Sequence, residues 1–427
     1  MEDSSIHLEP FRRARSECVL WHANINEDQQ WNETVLFPSF TNVQQLMLIE
    51  QQEQQLLWIA EPHDIVWLQH SPDPQFLAYV KGHRDKLPHI CITSDTNHVA
   101  EYVSRLSPKK VTFMPFILTS DYVALAEQYG WDLIDSNAAL VKHMNSKYVT
   151  RRLAEEHGFC VTQGRFCRNP EELIETYREI RTAGFAKAVL KQAYGSSGRG
   201  LTVIENEDKF RQLSSYIRKR TTCFEELLLE AWHTIKHSLN AQLWIEQDSV
   251  YLLAVTEQRI NKYGVYIGTN YTPHYDVHVM EHYGAEMLRL GAVLQQSGYR
   301  GIAGIDSILD DTDKLYPVIE INGRFTQVTY LLSFIETLLP IYKHVESRYI
   351  HLETQDKVSF EEIKSRFEAE LHPDEEHQFT IYTFAFCNLP HTNLYRIFVL
   401  FYGNEATKLN DMLYKFEHFT MTQTSSI

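Results

Sequence analysis

Between about residues 57 and 140, short apolar runs (LLWIA, IVWL, ICIT, VTFMPF and DLID) alternate with longer stretches of helical spacing such as TSDYVALAEQYG. Strands and helices in turn predict an α/β layer. The Gln-rich stretch at 44–56, just before it, reads as the polar face of a helix. Residues 145–159, NSKYVTRRLAEEHGF, have a polar cap, apolar residues at helical spacing and a closing glycine, and so predict a helix. NPEELIETYREIRTAGF predicts a second, ending at Gly184. The segment 186–194, AKAVLKQAY, has a strand-like core, breaks at a glycine-rich turn and resumes as LTVIE. Strand, loop, strand is the expectation.

Further on, ELLLEAW and NAQLWIEQDSVYLLAVTEQ predict antiparallel strands, and EHYGAEMLRLGAVLQQSGY an amphipathic helix. GIAGIDSIL and YPVIEI predict a hairpin joined by DDTDK, whose Asp310, Asp311 and Asp313 are expected to face solvent. From about 346 a charged helix, two strands and a last helix predict a small α+β unit. The chain thus divides into an α/β domain at 1–140, a central domain at 141–345 and an α+β extension at 346–427.

At 427 residues and 44% hydrophobic content, two to three ordinary cores are affordable. A net charge of −16 argues against a protein that coats nucleic acid, because that task needs clustered Lys and Arg. No apolar run of 18 residues and no signal-like N-terminus appears, so no membrane partner is expected and the cytoplasm is the expected compartment. Six cysteines at long, irregular spacings predict reduced thiols.

Candidate chemistry concentrates in two places. In KQAYGSSGRG, Lys191 ends a strand, and Gly195, Ser196, Ser197, Gly198 and Gly200 form a loop whose N–H and hydroxyl groups can approach phosphate oxygens. Alone, such a loop is also an ordinary turn; it fits neither the Walker pattern nor GxGxxG. The hairpin brings together Asp306, Glu320 and Asn322, the last two sharing one face of their strand, a hard-oxygen set suited to Mg²⁺. Arg324 follows directly and can bind phosphate or carboxylate oxygens. His274, His278 and His282 recur every four residues, but with no HExxH they read as a polar helix face more simply than as a zinc site.

Lys147 before a helix, Lys191 with its glycine loop, LLLEAW, and Asp306 followed by EINGR resemble, in that order, the ATP-grasp superfamily over about residues 140–345. The resemblance implies a fold of α/β and α+β character, in which two α+β subdomains clasp ATP after an N-terminal α/β domain. It implies that Lys147 and Lys191 contact the α- and β-phosphates, that the 195–200 loop closes over the γ-phosphate, and that Leu229, Glu230, Ala231 and Trp232 form the adenine hinge. Asp306, Glu320 and Asn322 would hold Mg²⁺, with Mn²⁺ as an alternative, and Arg324 would grip the transferred phosphoryl group. Two departures stand out. Where many relatives carry a ribose-binding glutamate, this chain has His237. Where some dipeptide-forming members carry an arginine it has Gly304, which leaves Arg259 as the candidate oxyanion donor.

The implied activity is formation of an acyl phosphate from a small, amino-acid-like carboxylate, then transfer to an amine. Transfer to a carrier-protein thiol is the alternative, and a nucleotide binder without turnover the third reading. Thr326, Gln327 and Tyr330, after Arg324, are expected among the residues that select the substrate. A homo-oligomer is compatible with the sequence.

Overall fold

The structure is a computed structural model that describes residues 6–15, 17–32, 43–134, 137–195, 200–219, 226–261 and 264–421. Ser196, Ser197 and Gly198 lie outside the described residues.

Among the described residues the strands fall into three sheets in chain order. β1 (Cys18–His22), β2 (Ile65–Leu68), β3 (His89–Ile92), β4 (Val111–Pro115) and β5 (Asp132–Leu133) form a parallel sheet ordered β3-β2-β1-β4-β5. Its central strands are buried at every position, which is why they read as continuous apolar runs without alternation. One such run misleads. Leu56–Ile59, expected as a strand, is a helical turn packed on the helix Gln327–Leu338, with Trp58 and Phe334 rings 4.8 Å apart. A short buried run carries no periodicity that separates the two states.

β6 (Gly164–Cys167), β7 (Lys187–Lys191), β8 (Leu201–Ile204) and β9 (Leu227–Trp232) form an antiparallel sheet ordered β6-β9-β7-β8. Ala188, Leu190, Leu227, Leu229 and Ala231 pack against the helices Pro170–Thr182 and Glu207–Lys219, where Tyr177 and Phe210 stack at 3.8 Å. By strand alternation Lys187, Lys191, Glu230 and Trp232 are turned to the opposite face.

The third sheet contains β10 (Ile235–Ile245), β11 (Val250–Ile260), β12 (Tyr266–Asn270), β13 (Gly301–Asp310), β14 (Leu315–Asn322), β15 (His344–Thr354), β16 (His377–Asn388) and β17 (Asn393–Gly403). Its order is β14-β13-β10-β11-β12-β15-β17-β16. β15 pairs with β12, so the sheet runs unbroken from the central region into residues 346–427. The helix Val277–Gln296 covers one face, with Gly291 against Val250 and Leu243 and Gly284 nearest Leu252. In the β13–β14 turn Asp311 and Asp313 are exposed, but Asp310 is buried. It accepts from the Thr312 and Lys314 amides and the Thr312 hydroxyl, which is what closes that turn.

The Gln-rich stretch departs from the polar helix face expected of it. The helix Val43–Glu50 gives way to a 3₁₀ turn, Gln51–Gln55, in which all five side chains are buried. Gln54 donates to the Phe384 carbonyl and accepts from its amide, and Gln51 does the same with Phe386. The two amides satisfy the free edge of β16, which would otherwise be left open to further pairing. Gln54→Ala is therefore expected to strand two buried backbone groups. A loss of about 1–3 kcal/mol should show as a lower urea midpoint, and an unchanged midpoint would contradict the pairing.

Candidate functional site

Asp306 on β13 faces Glu320 on β14 as a direct cross-strand pair, and Gly304 faces Asn322 two residues on. Asn240 and Gln258, from β10 and β11, donate amide N–H groups to one Asp306 oxygen at 2.8 and 2.6 Å, and Asn322 donates to the other at 3.3 Å. Burial, and next the charge of Glu320, push the Asp306 carboxyl up to about 6. Two carboxylates and an amide on one wall make an excess of negative charge that a hard cation would relieve. Among the described residues no group of three or more His, Cys, Asp or Glu side chains converges, so any cation here draws its remaining oxygens from other sources.

The helix Lys147–Glu156 ties this wall to the smaller sheet. Lys147 and Arg151, one turn apart, point the same way. Lys147 Nζ donates to Glu320 at 2.7 Å and to the Gly195 carbonyl, and its amide holds the Ala193 carbonyl. Arg151 reaches Glu230 at 2.6 Å and the carbonyls of Thr162 and Gly164. Glu230 also meets Lys191 Nζ at 2.5 Å. Burial alone would raise the Glu230 pKa, but Lys191 and Arg151 outweigh it and hold the carboxyl below its ordinary value.

The base of the glycine loop is fixed by backbone. Gly200 has φ +77°, and a Cβ there would lie 2.5 Å from the Tyr194 carbonyl oxygen, so only glycine fits. Asn32 brackets Tyr194 with a hydrogen bond to its carbonyl and one from its amide. Arg324 is buried above Phe116 and donates to Asp28 at 3.1 Å, while its Nε has no partner. Asp306, Glu320, Asn322 and Arg324 line one cavity with Thr326, Gln327 and Tyr330, the three residues expected to select substrate. A second opening, beside it, is lined by Lys187, Trp232, Ser238 and Gln258. Trp232 packs on Gly264, where a Cβ would come within 2.7 Å of the indole ring.

Residues 165–322 match the family model described as L-aspartate--L-methionine ligase, ATP grasp. Over 404 residues the chain is 40% identical to the [butirosin acyl-carrier protein]--L-glutamate ligase of Niallia circulans, covering 94% of each chain. The chain belongs to the ATP-grasp ligases. Solved structures agree on the fold: an N5-carboxyaminoimidazole ribonucleotide synthetase with ADP matches at a TM-score of 0.56 with 12% identity, covering 97% of this chain and 98% of that one. Biotin carboxylase from Campylobacter jejuni, as its β-γ-ATP complex, matches at 0.53 with 12% identity, covering 93% and 90%. This ATP-grasp protein is accordingly an ATP-dependent ligase that activates a carboxylate and passes it to a nucleophile.

Within the ATP-grasp framework four expected site residues point their side chains away from the Asp306 wall. Arg259 lies on the face of β11 opposite Gln258 and Asp306, where Glu346 and Glu257 hold it at 3.0 and 3.1 Å; it is no oxyanion donor to the Asp306 wall. His237 shares that far face with Leu239 and bonds Glu257 at 2.8 Å. Leu229 and Ala231 are buried in the small domain's core, and Leu229's backbone pairs with β6 on one side and β7 on the other, so only Glu230 and Trp232 of the hinge set present side chains to the cleft. The sequence reasoning missed Arg151, Asn240, Gln258 and Asp28. Arg151 had a visible signal, its spacing of four from Lys147; Asp28 had none. His274, His278 and His282 are all exposed.

Proposed function

We propose that ATP binds between the two antiparallel sheets, with its base at the opening lined by Lys187 and Trp232 and its phosphates toward Lys191, Lys147 and the glycine loop. Asp306, Glu320 and Asn322 are the residues that would hold Mg²⁺, or Mn²⁺ in its place. The Asp306–Glu320 pair, with its surplus charge and an adjacent Lys147 and Arg324, is the observation that carries this. A bound divalent ion would neutralise the phosphates during transfer. Arg324, held by Asp28, orients the carboxylate that is to be phosphorylated and neutralises the charge gathering on it. Lys147 keeps Glu320 and the loop base in register, and the closed loop excludes water from the acyl phosphate.

The substrate is an acidic amino acid, by the name of the relative that covers most of the chain, and the acceptor is an amine. That same name supports a carrier protein as the acceptor's bearer, and transfer to the carrier thiol is the second reading. A division at 140, with the central sheet continuing into residues 346–427, and a cytoplasmic location complete the proposal. Among the described residues no helix is long and apolar enough to cross a membrane.

A panel of carboxylic acids scored for ADP release, with hydroxylamine trapping the acyl phosphate, tests it. ADP release and hydroxamate are expected with an acidic amino acid. Background ADP with every amino and hydroxy acid would count against the reading. The mass gained by a carrier protein, stable to hydroxylamine if amide and labile if thioester, separates the acceptors.

A further inference from the structure

Two arginines line the cavity of the Asp306 wall, and they differ in their partners. Arg324 meets Asp28 at 3.1 Å, whereas Arg396, on β17, has no carboxylate within salt-bridge distance among the described residues. The Arg396 guanidinium lies over the rings of Tyr349 and Phe398, 4.6 and 5.1 Å from their centroids. Arg396 is half-buried, and its register partner on β15, His351, is exposed, so this end of the cavity opens to solvent. An arginine keeps its charge at neutral pH, and a partly withdrawn charge without a counter-charge suits an anionic ligand.

Between the two ends the cavity carries unpaired amide groups. The Gln55 amide nitrogen and the Gln327 amide oxygen have no hydrogen-bond partner, and neither has Arg396 Nε. Their order is fixed by neighbouring contacts. Gln51 and Gln54 bond Phe386 and Phe384, on either side of Ala385, and Ala385 is the register partner of Arg396, so Gln55 stands at the Arg396 end. Gln52, on the same face of that 3₁₀ turn as Gln55, accepts from the Gln327 side chain at 2.5 Å, and Gln327 follows Arg324 by three residues. The wall thus runs from Arg396 through Gln55 and Gln327 to Arg324. Native proteins leave few buried polar atoms unpaired, so a cation, an amide donor and an amide acceptor in sequence mark the path of a ligand with an anionic end and amides along its length. Such a ligand is long. β17 stands five steps from β13 in the sheet order, which at about 4.8 Å a step separates the two backbones by about 24 Å.

We propose that this cavity is the entry channel for the phosphopantetheine arm of a carrier protein, with Arg396 holding the arm's phosphate at the mouth and Gln55 and Gln327 bonding its amides. This rests on the carrier-protein reading given above. An extended arm, at roughly 1.2 Å per backbone bond, spans about 16 Å, and the Arg396 side chain at one end and the acyl phosphate at the other cover the remainder. The two flanking rings fix the plane of the guanidinium and present its fork to phosphate oxygens. At the Asp306 end the arm's thiol, or the amine of a group carried on it, attacks the acyl carbon. The new C–S or C–N bond forms, the bond from that carbon to the phosphate oxygen breaks, and inorganic phosphate leaves with the nucleophile's proton. Arg396 and Gln55 both lie outside the residues 165–322 matched by the family model.

The experiment measures binding of 4′-phosphopantetheine, and of pantetheine, which lacks only the phosphate, to the full-length wild type, Arg396→Gln and Arg396→Lys, with Mg²⁺ and ADP present to occupy the nucleotide end. The wild type is expected to hold the phosphorylated compound about 10- to 100-fold more tightly, the weight of a hydrogen-bonded charge. In Arg396→Gln that preference should vanish while pantetheine binds as before, and Arg396→Lys should recover part of it. Gln55→Ala should weaken both compounds alike, by about 2- to 10-fold. Equal affinity of the wild type for the two compounds, binding of neither, or a folded Arg396→Gln that keeps the phosphate preference or loses both compounds alike, would overturn the proposal. Hydroxamate formation by the wild type needs no arm and tests the ligase reading separately: its absence with every carboxylate would defeat that reading while a phosphate preference lost in Arg396→Gln still supported the channel.

Discussion

Glu320→Ala is expected to lower ADP release with the cognate carboxylate by about 10²- to 10³-fold, the usual cost of removing one preorganised charge from a transition state. Glu320 is the cross-strand partner of Asp306, and among the described residues its ion pair is with Lys147, at 2.7 Å. Its side chain is 21% exposed on an edge strand, so the fold should survive, but Lys147, 3% exposed, loses its counter-charge and the urea midpoint should fall as well. Lys147 would lose that partner but keep its bond to the Gly195 carbonyl, which leaves the loop base in place. The deficit should therefore fall on turnover at saturating ATP and deepen when Mg²⁺ is limiting. Glu320→Gln, which preserves shape and removes charge, should share most of the loss. Full turnover in either variant would mean that the metal assignment is wrong.

The same pair shows what a sequence can yield. Asp306, Glu320 and Asn322 were visible because a hairpin is local: two alternating strands and a short turn place their residues opposite one another. Lys191 and the glycine loop were visible for the same reason. Contacts between distant segments were not. Arg324 and Asp28 are 296 residues apart, and Gln54 reaches Phe384 across 330, with nothing in either segment that names the other. The Gln-rich stretch therefore reads as a polar helix face, whereas its amides serve as backbone partners for β16. The facing of His237 and Arg259 is of another kind, since strand alternation already contained it. Leu239, Ala241 and Leu243 are buried in the core, Leu243 against Gly291 of the helix Val277–Gln296, whereas Asn240 turns toward Asp306, so an odd-numbered His237 belongs with the apolar face. Across β11 Leu239 pairs with Glu257, and alternation carries Arg259, two residues on, to that face too. Motif spacing fixed their order along the chain without asking which way each strand faced.

Glu230→Ala should be the most destabilising single change in the cleft. Lys191 and Arg151 both close on this carboxylate, at 2.5 and 2.6 Å, and all three side chains are nearly shut off from water. Removing the anion leaves two cations sharing a buried space, a change that costs about 3–5 kcal/mol when one partner of a buried pair is deleted. Glu230→Gln fills the same volume and keeps an acceptor, so its loss should be smaller at neutral pH, and the gap between the two variants isolates packing from charge. The pH dependence has a fixed sign. The folded carboxyl titrates below its ordinary 4.5, because its two cations outweigh burial. Its contribution is then fully present above that value and disappears as pH falls through the lower, folded pKa. Urea unfolding of wild type and Glu230→Gln should show a constant difference from neutral pH down to about 5, narrowing in stronger acid. A difference that grew on acidification would mean that Glu230 is protonated in the folded protein, and that Lys191 owes its position to something else.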